Sequence, residues 1–328
     1  MSQRSRHLVD PELLEFLDSF PSRSLTADRL PSLRSEAAAL LLEQRSLEPA
    51  FPQLDVAERS VSGLDGQDPP VRLLCIVPTA ARRPMPALVW IHGGGYVLGS
   101  PEGDALQMKT LADEAECAIF SVDYRLAPEF PFPAGLHDCY AALCWVHAHA
   151  SELGVDTGRI AIGGASAGGG LAAALGLFAR DRAEVRVAFQ MLLVPMLDDR
   201  TTAHADPHPF AGELTWTPTQ NLFGWTSYLG AEPGGDGVSA YAAPARAESL
   251  AGLPPTYIAT GALDLFLEED MEYARRLTRA GVPVELHVYP GAYHGFSRAS
   301  NARVSHAYRR DLTNALRRAF ELSAVAVA

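Results

Sequence analysis

The chain has 328 residues, 48% of them hydrophobic, which is enough for one large α/β domain with an added segment or for two domains. Its formal net charge of −12 argues against a nucleic-acid-binding surface. No apolar run approaches the roughly 20 residues that span a bilayer, and the first ten residues lack a signal core, so we expect a cytoplasmic protein that does not enter a membrane.

Residues 1–60 are predicted to be helical and poorly connected to any sheet. Asp10-Pro11 combines a good N-cap with proline at the first helical position. Apolar residues then follow at the i, i+3, i+4 and i+7 spacing of one helix face: Leu13, Phe16, Leu17 and Phe20. Pro21 and Pro31 punctuate the segment, and a second helical run is predicted from Leu33 to Arg45. The apolar stripe is either ordinary core packing or part of a lid over a pocket.

From about residue 70, short apolar strands alternate with helices. Strands are predicted at 71–77, 87–91, 117–122, 159–162, 187–194, 256–260 and 284–289. Helices are predicted at 102–115, 134–150, 171–179, 267–280 and 304–322. This alternation predicts a mostly parallel, doubly wound sheet, which binds ligands at the carboxyl ends of its strands. The last strand is a candidate sheet edge that could pair with a second copy, which makes a homodimer one expectation.

Residues 198–249 interrupt the alternation. The segment is rich in proline and glycine and contains a group of aromatic residues: Phe210, Trp216, Phe223, Trp225 and Tyr228. A connection this long inside a compact domain is uncommon unless it has a function. We expect it to form the second half of a lid that meets the N-terminal helices over the strand ends.

The sequence Gly164-x-Ser166-x-Gly168 lies between a predicted strand and a predicted helix. It fits the nucleophile elbow, a sharp turn that exposes a serine and needs small residues on both sides of it. The alternative is a glycine-rich phosphate cradle. However, Gly168-x-Gly170-x-x-Ala173 matches the dinucleotide fingerprint only loosely, and no Gly-Lys-Ser/Thr follows.

A nucleophilic serine needs a base, and the base needs an acid that orients it. Five histidines follow Ser166 in the chain: His204, His208, His287, His294 and His306. Only His294 lies in a loop just past a predicted strand, so it is the predicted base. Asp264 lies just past the preceding strand and is the predicted acid, with Glu268 as the second choice. Asp198 is a weaker candidate that we expect instead to cap the start of the insertion.

A developing oxyanion needs backbone N–H groups directed at one point. One donor is normally the residue after the nucleophile, here Ala167. Three glycines, Gly93, Gly94 and Gly95, follow His92 directly after the strand 87–91. This His-Gly-Gly-Gly loop type occurs in lipases and esterases and lets the backbone approach a ligand closely.

With these features the chain resembles the hormone-sensitive-lipase-like esterases, bacterial family IV of the α/β-hydrolases. The resemblance covers roughly residues 70–325. It rests on six motifs: His92-Gly93-Gly94-Gly95-Tyr96, Asp123-Tyr124-Arg125-Leu126-Ala127-Pro128-Glu129, Gly164-Ala165-Ser166-Ala167-Gly168-Gly169, Trp225-x-x-Tyr228-Leu229-Gly230, Gly252-Leu253-Pro254-Pro255 and Tyr293-His294-Gly295-Phe296.

The resemblance implies an α/β-hydrolase fold with a helical cap in two parts. The catalytic domain would comprise residues 61–197 and 250–328, and the cap would comprise 1–60 and 198–249. The implied site residues are Ser166 as nucleophile, Asp264 as acid, His294 as base, and Gly93, Gly94, Gly95 and Ala167 as sources of oxyanion donors. Among the glycines, Gly94 and Gly95 are the better-placed pair.

The chain departs from the family pattern at two places. Ala165 precedes the serine where an acidic residue is common, and Leu267 and Glu268 replace an Arg-Asp pair beyond the acid. Since Asp264 itself is retained, these changes concern only the local contacts that support it. Asp123, Tyr124, Arg125 and Glu129 are interpreted as structural, with Arg125 paired to a carboxylate that anchors its loop.

The predicted activity is hydrolysis of short- to medium-chain carboxylic esters through an acyl-enzyme, with a small-molecule ester as partner and with neither metal nor cofactor. An amidase or acyltransferase on the same triad is the alternative. A non-catalytic small-ligand receptor of the same fold is disfavoured because such receptors typically lose the histidine that is present here as His294.

The cysteines lack C-x-x-C spacing, so free thiols are expected: Cys75, Cys117, Cys139 and Cys144.

Overall fold

The computed structural model describes residues 4–20, 24–45, 48–66, 68–203 and 205–325. The strands are β1 Leu54–Val61, β2 Val71–Pro78, β3 Met85–Ile91, β4 Ala118–Asp123, β5 Val155–Ala165, β6 Phe189–Leu193, β7 Thr256–Gly261 and β8 Val284–Tyr289. The α-helices are α1 Leu14–Ser19, α2 Leu30–Arg45, α3 Ala105–Ala115, α4 Ala134–Ala148, α5 Ala150–Leu153, α6 Ala167–Arg182, α7 Pro218–Leu229, α8 Leu267–Arg279 and α9 Arg303–Val325.

Within these residues the strands form one sheet in the order β1-β2-β4-β3-β5-β6-β7-β8. The first three strands in this order pair antiparallel, and every pairing from β4 to β8 is parallel. The sequence-based prediction of a mostly parallel α/β sheet is therefore confirmed. Because β3 and β5 are adjacent, the loops that leave their carboxyl ends lie side by side.

Both faces of the sheet are covered by helices, which explains the unbroken apolar runs of the central strands. All seven residues of β3 are buried. Val89 and Ile91 pack into one core together with residues of α4 and α6, whereas Leu88 and Trp90 pack into a second core with residues of α3 and α9. A strand covered on both sides loses the polar alternation of a solvent-facing strand.

The interpretation of residues 1–60 as helical and unconnected to the sheet is wrong for residues 54–60. They belong to β1, which pairs antiparallel with β2 along its whole length. Only Leu54 and Val61 are buried, and charged residues occupy much of the strand between them. An exposed edge strand is held mainly by backbone hydrogen bonds, so its side chains carry little periodicity from which to predict it.

Upstream, Asp10 accepts a hydrogen bond from the Glu12 N–H, as its N-cap position predicts. The helix α2 begins at Leu30 rather than at Leu33. Proline is tolerated in a first helical turn because its missing N–H would have had no intrahelical acceptor, so Pro31 does not delay the helix. Pro21 lies outside the described residues.

Residues 198–249 contain the helix α7 between two stretches without strands. Thr217 and Gln220 form a capping box at its start, and Gly230 ends it in a left-handed conformation.

Arg125 pairs with Asp138 as expected, with its Nη2 at 2.8 Å from Oδ1. All four cysteines are free thiols, as predicted.

In the part of the chain that the structure describes, none of the helices combines the length and the apolar character needed to cross a lipid bilayer.

Candidate active site

Ser166 lies at the turn between β5 and α6, in a conformation that L-amino acids rarely adopt. Its φ is 56° and its ψ is −121°. The turn is held from both sides, because the Ser166 N–H donates to Leu193 O at 2.8 Å and Ser166 O accepts from Met196 N at 3.0 Å. Backbone strain of this kind costs about 1–3 kcal/mol and persists only where the surroundings enforce it. The serine hydroxyl is thereby fixed at the carboxyl edge of the sheet.

The glycines on either side of the serine are needed because backbone atoms occupy the space of a side chain. A Cβ at Gly164 would lie 2.2 Å from Gly168 O. A Cβ at Gly168 would lie 2.1 Å from Ile91 O and 2.4 Å from His92 O. The turn of β5 therefore packs directly against the end of β3, which brings the serine to the glycine loop.

The structure brings Ser166, His294 and Asp264 into one hydrogen-bonded row. His294 Nε2 lies 2.9 Å from Ser166 Oγ, and His294 Nδ1 lies 2.8 Å from Asp264 Oδ2. A carboxylate only accepts hydrogen bonds, so Nδ1 carries the proton and Nε2 is the atom free to accept one from the serine. Asp264 is fully buried, and its other oxygen, Oδ1, accepts from Phe266 N at 3.0 Å. The acid is thus immobile, and the imidazole is held in one tautomer.

The structure does not bring the other candidate acids into this row. Glu268 is exposed in the first turn of α8. Asp198 accepts from the Arg200 N–H at 2.9 Å and pairs with the Arg200 guanidinium, which closes the turn at the start of the insertion as expected.

The other candidate histidines have different surroundings. His208 Nδ1 accepts from Ala211 N at 2.9 Å, His287 contacts Glu285 at 2.8 Å, and His306 is exposed on α9. His204 lies outside the described residues.

The glycine loop after β3 lies against the nucleophile turn. A Cβ at Gly93 would be 2.9 Å from Ala165 O and 3.4 Å from Ser166 Cβ. Gly94 and Gly95 have φ values of 130° and 60°, which glycine adopts without strain. Ala167 is the first residue of α6, so its N–H has no acceptor within the helix. Gly93 and Ala167 therefore lie beside Ser166, and Gly94 and Gly95 follow Gly93 in the same loop.

His92 anchors the base of this loop, a role that sequence reasoning did not assign to it. Its Nδ1 lies 2.8 Å from Gly93 O, and its ring stacks on Tyr124 at 4.3 Å between centroids. The Tyr124 hydroxyl donates to His92 O at 3.0 Å. Burial lowers the pKa of His92, which favours the neutral ring. No local sequence signal pairs Tyr124 with His92, because they belong to different strand ends.

Residues 211–217, named here the cap strap, cross the site from above. The Gly212 N–H donates to Leu263 O at 3.1 Å, next to the candidate acid. The Thr215 hydroxyl donates to the backbone oxygen of His294 at 2.5 Å. Trp216 lies against Gly95 of the glycine loop. The strap therefore contacts three of the four segments that carry the candidate machinery, namely the loops of the acid, the base and the glycines.

The N-terminal arm meets the strap and the loop of the base. Both the N–H and the hydroxyl of Ser5 donate to Glu213 Oε2 at 2.9 Å. The Tyr293 hydroxyl, next to His294, donates to Leu13 O at 3.0 Å. The Asp10 N–H donates to Gly291 O at 3.1 Å. The N-terminal segment therefore contacts both the insertion and the loop of the candidate base.

Two buried acids follow the candidate acid on α8. Glu269 Oε1 accepts from Leu197 N at 2.7 Å, and its other oxygen accepts from the Thr201 hydroxyl. Asp270 is fully buried near Thr260 and Asp264. Burial raises the pKa of both Glu269 and Asp270 well above the usual range. Nearby carboxylates raise these pKa values further: Asp198 acts on Glu269, and Glu269 and Asp264 act on Asp270. These groups are not part of the hydrogen-bonded row.

A polar cavity of about 420 Å³ lies beside Glu269 and is lined by Asp198, Arg200, Ala245, Arg246, Ala247, Glu269, Glu272, Tyr273 and Arg276. None of the triad residues lines it. Its three arginines are already engaged: Arg200 with Asp198, Arg246 with Asp199, and Arg276 with the backbone oxygens of Ala245 and Ala247. The cavity therefore lacks the nucleophile that the chemistry requires.

Among the described residues, Asp65, Asp68 and His137 have ligand atoms within 4.8 Å of one another. Asp68 Oδ1 is already paired with the Arg125 guanidinium at 3.0 Å. We interpret this group as part of the anchor of the Arg125 loop.

A family model described as alpha/beta hydrolase fold matches residues 88–298. The chain is 37% identical over 297 residues to carboxylesterase NlhH of Mycobacterium tuberculosis, with 88% of each chain covered. It is 34% identical over 293 residues to esterase LipI of the same species, again with 88% of each covered.

Among solved structures, the chain is similar to a bacterial heroin esterase, with a TM-score of 0.90, 42% identity, and 96% of this chain and 98% of that chain covered. It is also similar to esterase LipW of Mycobacterium marinum, with a TM-score of 0.86, 35% identity, and 97% and 98% coverage.

Proposed function

Since this chain belongs to the hormone-sensitive-lipase-like esterases of the α/β-hydrolase superfamily, we propose that it is a serine carboxylesterase whose nucleophile is Ser166. One observation carries the assignment of the site. The Ser166 hydroxyl lies within hydrogen-bond distance of an imidazole whose other nitrogen is bonded to a buried carboxylate. A serine hydroxyl becomes a useful nucleophile when an adjacent, oriented base can take its proton.

In the acylation step, His294 Nε2 takes the proton of the Ser166 hydroxyl as Oγ attacks the carbonyl carbon of the ester. The carbonyl oxygen becomes an oxyanion that accepts hydrogen bonds from the backbone of Gly94, Gly95 and Ala167, with Gly93 as a further source of donors. Asp264 keeps the proton on Nδ1 and stabilises the imidazolium. The imidazolium then donates its Nε2 proton to the leaving oxygen, and the alcohol departs.

Deacylation repeats these steps with water in place of the serine. His294 takes a proton from water as the water attacks the acyl carbon, and the proton passes to Ser166 Oγ as the carboxylic acid leaves. His294 accepts and then donates the proton in each of these two steps.

The cap supports a substrate of limited size. The strap contacts the backbone of His294 through Thr215 and lies against Gly95 through Trp216, so it bounds the space beside Ser166. We propose esters with short to medium acyl chains, assayed with nitrophenyl esters from acetate to palmitate. Equal turnover of matched anilides, or acyl transfer that outruns hydrolysis, would favour the amidase or acyltransferase alternative.

Labelling with a fluorophosphonate probe tests the nucleophile directly. We expect the intact protein to be labelled and Ser166→Ala to lose both labelling and several orders of magnitude in kcat. Ser151→Ala, at an exposed position on α5, is the matched control and should retain both. Labelling of Ser166→Ala equal to that of the wild type would overturn the assignment.

We further propose a homodimer through β8, because β8 is a sheet edge on which Leu286 and Val288 are exposed. Sedimentation of the wild type and of Val288→Arg tests this proposal; a monomeric wild type contradicts it.

We also propose that the protein is located in the cytoplasm, which cell fractionation tests.

A further inference from the structure

Three successive carbonyl groups at the start of the glycine loop accept hydrogen bonds. His92 O accepts from the Tyr124 hydroxyl at 3.0 Å, and Gly93 O lies 2.8 Å from His92 Nδ1. Gly94 O accepts from the backbone N–H groups three and four residues further along the chain, at 3.1 Å and 2.9 Å. The first two of these oxygens are therefore held by side chains, and the third by the backbone of the loop itself.

The N–H groups of the same peptides are free. In the part of the chain that the structure describes, the N–H groups of Gly93, Gly94 and Gly95 donate to no protein acceptor. These peptides are trans, so the C=O and N–H of each point in opposite directions. The bond on His92 O therefore sets the direction of the Gly93 N–H, and the bond on Gly93 O sets that of the Gly94 N–H. Free N–H groups with a fixed direction are what a developing oxyanion needs.

Among the described residues, the imidazole of His92 makes one hydrogen bond, and it is to this loop. Its Nδ1 carries the proton, because the carbonyl oxygen of Gly93 only accepts. A Cβ on Gly99 would lie 2.3 Å from Gly93 O and 2.6 Å from His92 Nδ1. The backbone of Gly99 therefore packs directly against this hydrogen bond, and a displaced imidazole would displace Gly93 O with it.

Tyr124 holds both the ring and the backbone of His92. The two rings stack with their centroids 4.3 Å apart and their planes inclined by 19°. The tyrosine ring also contacts α4, since a Cβ on Gly135 would lie 3.2 Å from Tyr124 Cδ2. Burial raises the pKa of Tyr124 well above its usual range, so the hydroxyl keeps its proton and remains a donor. One side chain thus supports the oxygen of His92 and the imidazole that holds the oxygen of Gly93.

We propose that Tyr124 is a positioning residue of the oxyanion site. By bonding to His92 O and stacking on the imidazole, it fixes the N–H groups of Gly93 and Gly94 before a substrate binds. It acts through His92 rather than on the substrate. The inference rests on the proposed esterase function and adds to it a residue that lies outside both the triad and the glycine loop.

Tyr124→Phe tests the proposal, because it removes the hydroxyl and keeps the stacked ring. We expect kcat for nitrophenyl acetate to fall by about tenfold, which is less than the loss of about 10²–10³-fold that follows deletion of an oxyanion donor. KM should change by less than about twofold, since the lost support acts only in the transition state. Complete labelling with the fluorophosphonate counts the active enzyme, so inactive protein does not contribute to the measured kcat.

A pair of ketone inhibitors separates positioning from general structural damage. Ser166 Oγ adds to the carbonyl carbon of a trifluoromethyl ketone, its proton passes to His294, and the carbonyl oxygen becomes an oxyanion. The methyl ketone of the same chain length is less electrophilic and binds without this addition. We expect Tyr124→Phe to weaken the trifluoromethyl ketone by about tenfold and the methyl ketone by less than about twofold, because only the adduct resembles the transition state.

Tyr140→Phe is the matched control. Tyr140 is completely buried on α4, and its hydroxyl donates to Glu184 at 2.8 Å. This variant should have a lower melting temperature but unchanged kcat and unchanged affinity for both ketones. His92→Phe keeps a ring in the stack and removes the Nδ1 donor. It should show the same pattern as Tyr124→Phe, and it tests the proposal even where Tyr124→Phe does not fold.

Two outcomes overturn the inference: an unchanged kcat in folded Tyr124→Phe, or equal weakening of the two ketones. In both, the wild type still hydrolyses esters and is labelled by the fluorophosphonate. A wild type that is neither active nor labelled would instead overturn the proposed function, so the two failures are distinguishable.

Discussion

At the residue scale, the nucleophile is positioned by backbone packing more than by side chains. Ser166 has a positive φ, and the glycines around it are in contact with the carbonyl groups at the end of β3. Gly168 is the most constrained of them with respect to that strand, because its missing side chain would collide with two carbonyl oxygens. The strained turn and the glycine loop are therefore one packed unit.

We expect Gly168→Ala to destabilise the protein by about 1–3 kcal/mol, because the added methyl group would overlap Ile91 O and His92 O. Denaturant unfolding followed by circular dichroism measures this change. Gly103→Ala is the matched control, since a Cβ there meets no atom within 4 Å. Equal stability of the two variants would contradict the packing argument.

At the scale of elements, the N-terminal arm and the cap strap hold each other in place. Glu213 of the strap accepts two hydrogen bonds from Ser5 and pairs with Arg4. The backbone N–H of Ser5 lowers the pKa of Glu213 more than any other single contact does, so the carboxylate form is favoured. The arm in turn contacts Tyr293, beside the candidate base.

Glu213→Ala should loosen the arm, since the Ser5 N–H loses its acceptor. We expect a loss of about 1 kcal/mol in the free energy of unfolding and faster amide exchange at Asp10 and Leu13. Glu232→Ala, an exposed position in the same insertion, should change the stability by less than about 0.5 kcal/mol. Amide exchange in Glu213→Ala that matches the wild type would show that the arm is held by its other contacts alone.

At the scale of the whole molecule, stability depends on acids that lie inside the fold. Glu269 and Asp270 are adjacent on α8 and buried, with Asp264 close to Asp270. Burial raises the pKa of Asp270 first, and the proximity of Glu269 and Asp264 adds to it. A carboxyl whose pKa is raised on folding favours the native state in its protonated form. Its stabilising contribution is complete below the unfolded pKa of about 4 and is lost as the pH rises through the folded pKa.

Asp270→Asn replaces that carboxyl by a neutral group, so the variant should not share this loss. We expect the stability of the variant relative to the wild type to increase from pH 4.5 to pH 8 by about 1–3 kcal/mol. Denaturant unfolding at several pH values measures the difference. Asp236→Asn, at an exposed loop position, is the matched control for the substitution itself. A difference for Asp270→Asn that does not vary with pH would contradict the argument.

Much of the fold and the composition of the candidate site follow from the sequence. The strand–helix alternation predicts the parallel sheet, and the positions of Ser166, Asp264 and His294 just past strand ends predict that they meet. Both inferences depend on local periodicity and on the rule that the carboxyl ends of parallel strands share one edge. Because that information lies in short segments of the chain, it can be read from the sequence before the fold is known.

Contacts between distant segments are absent from that information. The edge strand β1 is held mainly by backbone hydrogen bonds, and charged residues on its surface leave little pattern to predict it. The stacking of His92 on Tyr124, the burial of Asp270, and the contact of Trp216 with Gly95 each join elements far apart in the chain. Local sequence determined which residues can perform the chemistry. Long-range packing, which depends on the shapes of distant side chains, decided how they are supported and what covers them.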